Sequence, residues 1–131
     1  MNSKIVLASR VLLGLVFLVF GANGLMYVLT GGGFIPMPPP PESMMTVMSG
    51  FAATKYLMPL VKILEVIAGL LLIIGIYKAA ALTMLAPIVV NILGIHLFVD
   101  QGGLVMSVVI AVLFLILLKS EWHSFKKILD K

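Results

Sequence analysis

Apolar residues run along this chain in four stretches, roughly 5–29, 57–77, 80–99 and 104–119, each long enough to cross a bilayer as a helix. The intervening stretch 30–56 is different in kind, opening on Gly31-Gly32-Gly33 and continuing through Pro36-Met37-Pro38-Pro39-Pro40-Pro41. Consecutive prolines cannot propagate a helix and favour a stiff extended segment. Beyond them Met44, Met45, Val47, Met48 and Phe51 alternate with Ser43, Thr46, Ser49 and Thr54, which predicts a short interfacial or re-entrant helix with membrane-facing methionines. Proline before it and Glu42 at its start suit a helix N-terminus. The predicted fold is an all-α integral membrane protein: one domain over 1–131, a four-transmembrane-helix bundle with a proline-rich extracytoplasmic loop at 30–56.

The polar residues that interrupt the apolar runs are the candidate chemistry. An ionisable side chain at membrane depth costs roughly 2.5–3.5 kcal/mol on insertion scales, which makes it a functional-site candidate. Lys62 and Glu65 stand three residues apart in the second span, on one helix face, where each neutralises the other. Gly69, Leu72 and Ile76 continue that face, and Gly69 admits a neighbouring helix close to the pair. In the first span Arg10, Gly14, Phe17, Gly21 and Gly24 form one stripe, with Phe17 as its bulky member. Asn23 falls roughly 140° from the stripe centre, where it either bonds backbone at the helix end or joins a ligand site. Arg10 is expected to snorkel to the inner headgroups.

The third span contains Pro87, which leaves the Thr83 carbonyl without its usual donor and predicts a kink. Pro87, Asn91, Gly94 and Phe98 share a face, and Asn91 is expected to bond backbone freed by the kink or reached through a glycine. His96 lies roughly 140° from Asn91, so a regular helix does not aim both at one spot. Asp100 stands one turn beyond His96, either as its orienting partner or as an ordinary helix-end neighbour. The last span is aliphatic apart from Ser107, and the tail with Trp122, His123, Lys126 and Lys127 reads as an interfacial anchor.

Composition agrees with this pattern, because 62% hydrophobic and 11% charged residues leave too little polar surface for a soluble domain. The net charge of +4 is spread between apolar segments instead of gathered into a patch, which argues against a nucleic-acid partner. Four spans put Lys4, Arg10, Lys78, Lys119, Lys126, Lys127 and Lys131 on one side and Lys55 and Lys62 on the other, so both termini are predicted cytoplasmic. Lys4, the apolar run and Ala22 also fit a signal peptide, although the run outlasts a usual h-region. With no cysteine there is no CxxC centre or thiolate metal site, no other metal-binding pattern is present, and phosphate-loop and dinucleotide motifs are missing too. Counting along alternating spans brings Asn23, Lys62, Glu65, Asn91 and His96 to the outer half of the bundle, while Arg10 lies roughly 20 Å inward of Asn23.

Four segments carry a family resemblance: Gly21-Ala22-Asn23-Gly24, Pro36-Met37-Pro38-Pro39-Pro40, Leu60-Val61-Lys62-Ile63-Leu64-Glu65-Val66-Ile67-Ala68-Gly69, and Leu85 to Phe98 with Asn91 and His96. Together they resemble the DoxX family of small four-helix bacterial membrane proteins. The resemblance implies a place in the bacterial inner membrane and an association with membrane oxidoreductase systems, including quinone-linked ones. On that reading an outer-half pocket binds a quinone or a lipid-like amphiphile, Glu65 and His96 exchange protons, and Lys62, Asn91 and Asn23 hold the ligand, with Lys62 or Asn91 on a carbonyl oxygen. If it is an enzyme, it is an oxidoreductase subunit that needs a partner, because the chain holds no electron carrier of its own. The alternatives are a non-catalytic accessory protein that binds membrane lipid, a partner chain or a second copy, and, less favoured, a small transporter. A plain structural ion pair is the competing account of Lys62 and Glu65.

Overall fold

The computed structural model describes residues 2–131, and the described residues fold as helices joined by short turns and one long connection. Six α-helices follow in order: α1 Ser3–Thr30, α2 Glu42–Ala53, α3 Leu57–Ile74, α4 Lys78–Phe98, α5 Leu104–Ser120 and α6 Trp122–Phe125. Four of the helical segments are long and apolar enough to cross a membrane, so this is a multi-pass membrane protein.

Local chemistry sets where each helix starts and stops. Asn2 accepts a hydrogen bond from the Lys4 backbone N–H and opens α1. Gly31, at φ 84°, closes it in the left-handed conformation that glycine adopts without a steric penalty. Gly75 ends α3 in the same way at φ 89°, so the second span stops at Ile74, short of the expected Tyr77. The last turn of α3 receives a second cap from α1. The Arg10 guanidinium donates to the carbonyls of Leu72 at 2.5 Å and Ile73 at 3.2 Å, which otherwise have no intrahelical partner. Arg10 thus does not snorkel outward as expected, because an unpaired helix end lies within its reach.

The four long helices form a ring in which α1 and α4 each pack on both α3 and α5. The most extensive contact joins α1 to α3, and it is antiparallel: Arg10 meets the end of α3, Gly14 meets Gly69, Gly21 meets Glu65 and Gly24 meets Lys62. Leu13 and Phe17 of α1, Ala68 and Leu72 of α3, Leu82 and Leu85 of α4, and Phe114 and Leu117 of α5 fill the centre. Leu15, Phe20, Ile63, Leu70, Val90, Val108, Val112 and Leu115 point outward, an apolar exterior matched to lipid.

The two ends of the ring are fastened differently. At the Arg10 end, Lys78 Nζ pairs with Glu121 at 2.9 Å, tying the α3–α4 turn to the start of the tail, which does more than anchor at an interface. At the opposite end the chain from Gly31 to Pro41 runs without regular structure before α2. No residue of α2 is buried, and its clearest polar tie to the ring is Ser43 Oγ donating to the Val99 carbonyl at 3.4 Å.

Candidate functional site

The glycines of α1 and the charges of α3 build the site together. At Gly24 an added Cβ would lie 2.6 Å from Lys62 Cε, and at Gly21 it would lie 2.9 Å from Glu65 Cβ. These glycines therefore make the slot in which the lysine stem and the glutamate base lie. Lys62 Nζ stands 3.4 and 3.2 Å from the two carboxylate oxygens of Glu65, in the geometry expected three residues apart on a helix. The glutamate side chain is 5% exposed and the lysine 20%, so the carboxylate is the enclosed member and the ammonium reaches the edge. Gly69 serves a different contact, one turn on. It seats α3 against the backbone of Gly14 and Leu18, which lets the helices approach closely enough to enclose the pair.

Lys62 and Glu65 face a groove of about 450 Å³ between α2, α3 and α4, whose wall also includes Asn91 and His96. Asn91 and His96 stand five residues apart on α4, about 7.5 Å of helix rise, and both border this groove at their different heights without pointing at one spot. Both are oriented by main-chain carbonyls. Asn91 Nδ2 donates to the Pro87 carbonyl at 2.8 Å, one turn back, and not to the Thr83 carbonyl that the proline leaves free. His96 Nδ1 lies 2.9 Å from the Asp100 carbonyl oxygen. That oxygen only accepts, so Nδ1 carries the hydrogen and Nε2 is left as an acceptor in the neutral ring. The Asp100 carboxylate is not the orienting group, since it accepts from the Gly102 N–H and caps the turn into α5. The imidazole lies against Gly103, where any Cβ would overlap the ring.

The remaining wall comes from α2. Met44, Met48 and Phe51 close the groove opposite Lys62 and Asn91. Met44 and Met48 are groove wall and not the membrane-facing filler expected, while Met45 stays exposed; the steps of four and three residues from Met44 through Met48 to Phe51 are the signal that identifies the face. A larger cavity, about 570 Å³, lies on the other side of α2 between Tyr27, Met45, Ser49, Lys55 and Met58, away from the paired charges.

Asn23 is not part of the groove. Its side chain is buried and its Oδ1 accepts from the Ile35 N–H at 3.0 Å, so it ties the long connection to α1 while Gly33 passes directly over the amide. The backbone-binding alternative for Asn23 is the one observed. Asn23→Ala should leave the Ile35 N–H unpaired and lower stability by about 1–2 kcal/mol. Thermal unfolding, with protease sensitivity across residues 31–41 as a second readout, checks this; an unchanged melting temperature and digestion rate would contradict it. A Cβ added at Gly94 would meet nothing within 4 Å, so this glycine seats no neighbouring helix.

Among the described residues no three histidine, aspartate or glutamate side chains cluster as a metal site would require. In comparisons with known proteins, no family model, no curated protein and no solved structure matches this chain.

Proposed function

We propose that this chain is a DoxX-like membrane subunit associated with redox metabolism, which holds a quinone or similar amphiphile in the groove between α2, α3 and α4. The observation that carries the reading is the wall of that groove: Lys62, Glu65, Asn91 and His96 gather in an otherwise apolar channel that includes Met44, Phe51, Met84 and Ile88. A ligand with an apolar body and a polar ring suits such a channel. Quinone reduction takes up protons as well as electrons, and Glu65 and His96 are the groups able to exchange them, while Lys62 and Asn91 hold ring oxygens. Electrons come from a partner subunit, since the chain has no cysteine or other carrier. The sequence resemblance to DoxX proteins and the lysine asymmetry support a bacterial inner-membrane location with both termini cytoplasmic and the 30–56 segment outside.

Titration of short-chain ubiquinone and menaquinone analogues into purified protein in nanodiscs should give saturable binding that Glu65→Gln and His96→Ala weaken. No saturable binding, with neither substitution altering activity or partner association, would overturn the reading. A non-catalytic accessory role is the second reading, favoured by α2, whose unburied face presents Met45 and leaves room for a partner chain or lipid. Mass spectrometry of co-purifying quinones, lipids and proteins separates the two.

A further inference from the structure

The cavity of about 570 Å³ on the far side of α2 carries a different charge from the groove. Tyr27, near the end of α1, stands on one side of it and Met58, at the start of α3, on the other, while α2 covers it with Met45 and Ser49. Both α1 and α3 are spans, so the cavity lies where headgroups meet acyl chains at the end of the bundle opposite Arg10. Lys55 is the single charged residue on its wall, and no carboxylate lines it. Among the described residues the ion pairs involve Lys62, Lys78 and His123, which leaves Lys55 uncommitted. Glu42 stands at the other end of α2, roughly 16 Å of helix rise from Ala53. The last carbonyls of α2 do not oppose an anion there, because Phe51 accepts from Thr54 and Ala52 from the Lys55 N–H. Lys55 itself holds φ 69°, a left-handed turn that glycine or asparagine adopts with less strain, so its side chain is kept in spite of the backbone.

We propose that this cavity binds one acidic phospholipid of the surrounding bilayer, its phosphate on the Lys55 ammonium and the hydroxyls of Tyr27 and Ser49, and an acyl chain along Met45 and Met58. The volume falls within the roughly 300–1,000 Å³ of sites that enclose small amphiphiles, and methionine side chains adapt to an irregular chain. A zwitterionic lipid brings a cation that finds no carboxylate on this wall, so charge favours the acidic headgroup. One lysine at a membrane surface is worth about fivefold in affinity for such a lipid. The site goes beyond the redox reading and does not rest on it: Met48, Phe51 and Met58 border both cavities, but Lys55 borders only this one.

The test titrates dioleoylphosphatidylglycerol, dioleoylphosphatidylcholine and glycerol 3-phosphate into the full chain in detergent and reads occupancy by native mass spectrometry. Phosphatidylglycerol should bind about fivefold more tightly than phosphatidylcholine, and glycerol 3-phosphate, which has no acyl chain, should not bind measurably. Lys55→Asn keeps a residue that adopts the left-handed turn and should cut the preference to about twofold or less, whereas Lys55→Arg should retain it. Lys126→Gln with Lys127→Gln removes basic charge at the Arg10 end of the bundle and should leave the preference unchanged. Equal binding of the two lipids by the parent, a preference that survives Lys55→Asn, or an equal loss in the tail variant would overturn the proposal. So would glycerol 3-phosphate binding as tight as the acidic lipid. The chain has no cysteine, so Met45→Cys is a single label, and a disulfide-linked dimer formed through it in membranes would assign the cavity to a second copy and overturn the proposal as well. None of these failures touches the quinone reading, which is tested by titrating the other groove.

Discussion

Lys62→Met should lower the stability of the protein by about 3–5 kcal/mol, the range for removing one partner of a buried ion pair. Lys62 is the only side chain that bonds the Glu65 carboxylate among the described residues, and the glutamate side chain is almost wholly enclosed, its base lying against α1 at Gly21. Without the ammonium it either stays charged and unpaired in a low-dielectric site or takes up a proton, and both cost stability. Glu65→Gln should be milder, about 1–2 kcal/mol, because the amide still accepts a hydrogen bond and the long lysine can swing toward the headgroups. Combining Lys62→Met with Glu65→Leu should recover much of the loss, as replacement of a whole buried pair by apolar side chains often does. Melting temperatures in one detergent rank the variants. Equal values for both single variants and the parent would mean that the pair is solvated and structurally idle.

Gly69→Ala and Gly94→Ala should have opposite signs although both place a methyl on a transmembrane helix. At Gly69 the methyl would lie 2.6 Å from the Leu18 backbone nitrogen and 2.7 Å from the Gly14 carbonyl oxygen, and backbone cannot rotate away as a side chain can. Helices α1 and α3 would have to separate, at a cost of about 3 kcal/mol, and the slot around Lys62 and Glu65 would loosen with them. At Gly94 the methyl would meet nothing within 4 Å, so the substitution only removes backbone freedom and should stabilise by about 0.5–1 kcal/mol. Thermal unfolding of the two variants side by side is the measurement, and similar losses in both would contradict the packing assigned to Gly69.

The difference between these glycines marks a boundary in what a linear reading reaches. Both sit inside apolar spans on faces that carry polar residues, and the residues around Gly94 do not say that its face, unlike that of Gly69, meets no helix. Four apolar runs, a proline-rich break and a Lys–Glu pair on one helix face depend on neighbours within a turn or two, so they are legible in the residues themselves. The helix ends at Thr30, Ile74 and Ser120 lie close to the limits of the apolar runs for the same reason.

Partners outside that range were settled by the assembled bundle. Arg10 caps a helix more than sixty residues away because antiparallel packing of α1 on α3 carries the orphan carbonyls of Leu72 and Ile73 to it. Asn23 ties down Ile35 because the long connection folds back across the end of α1. Asn91 and His96 come to one groove because α2 lies along the flank of α3 and α4 and its methionines close a channel spanning both heights. The sequence by itself determines which residues are polar at membrane depth, since hydropathy and helical period are local properties. Which of those residues face a shared groove, and whether each has a donor or an acceptor left to offer, was decided only by the tertiary structure, because hydrogen-bond capacity is consumed by whichever carbonyl the fold brings within about 3 Å.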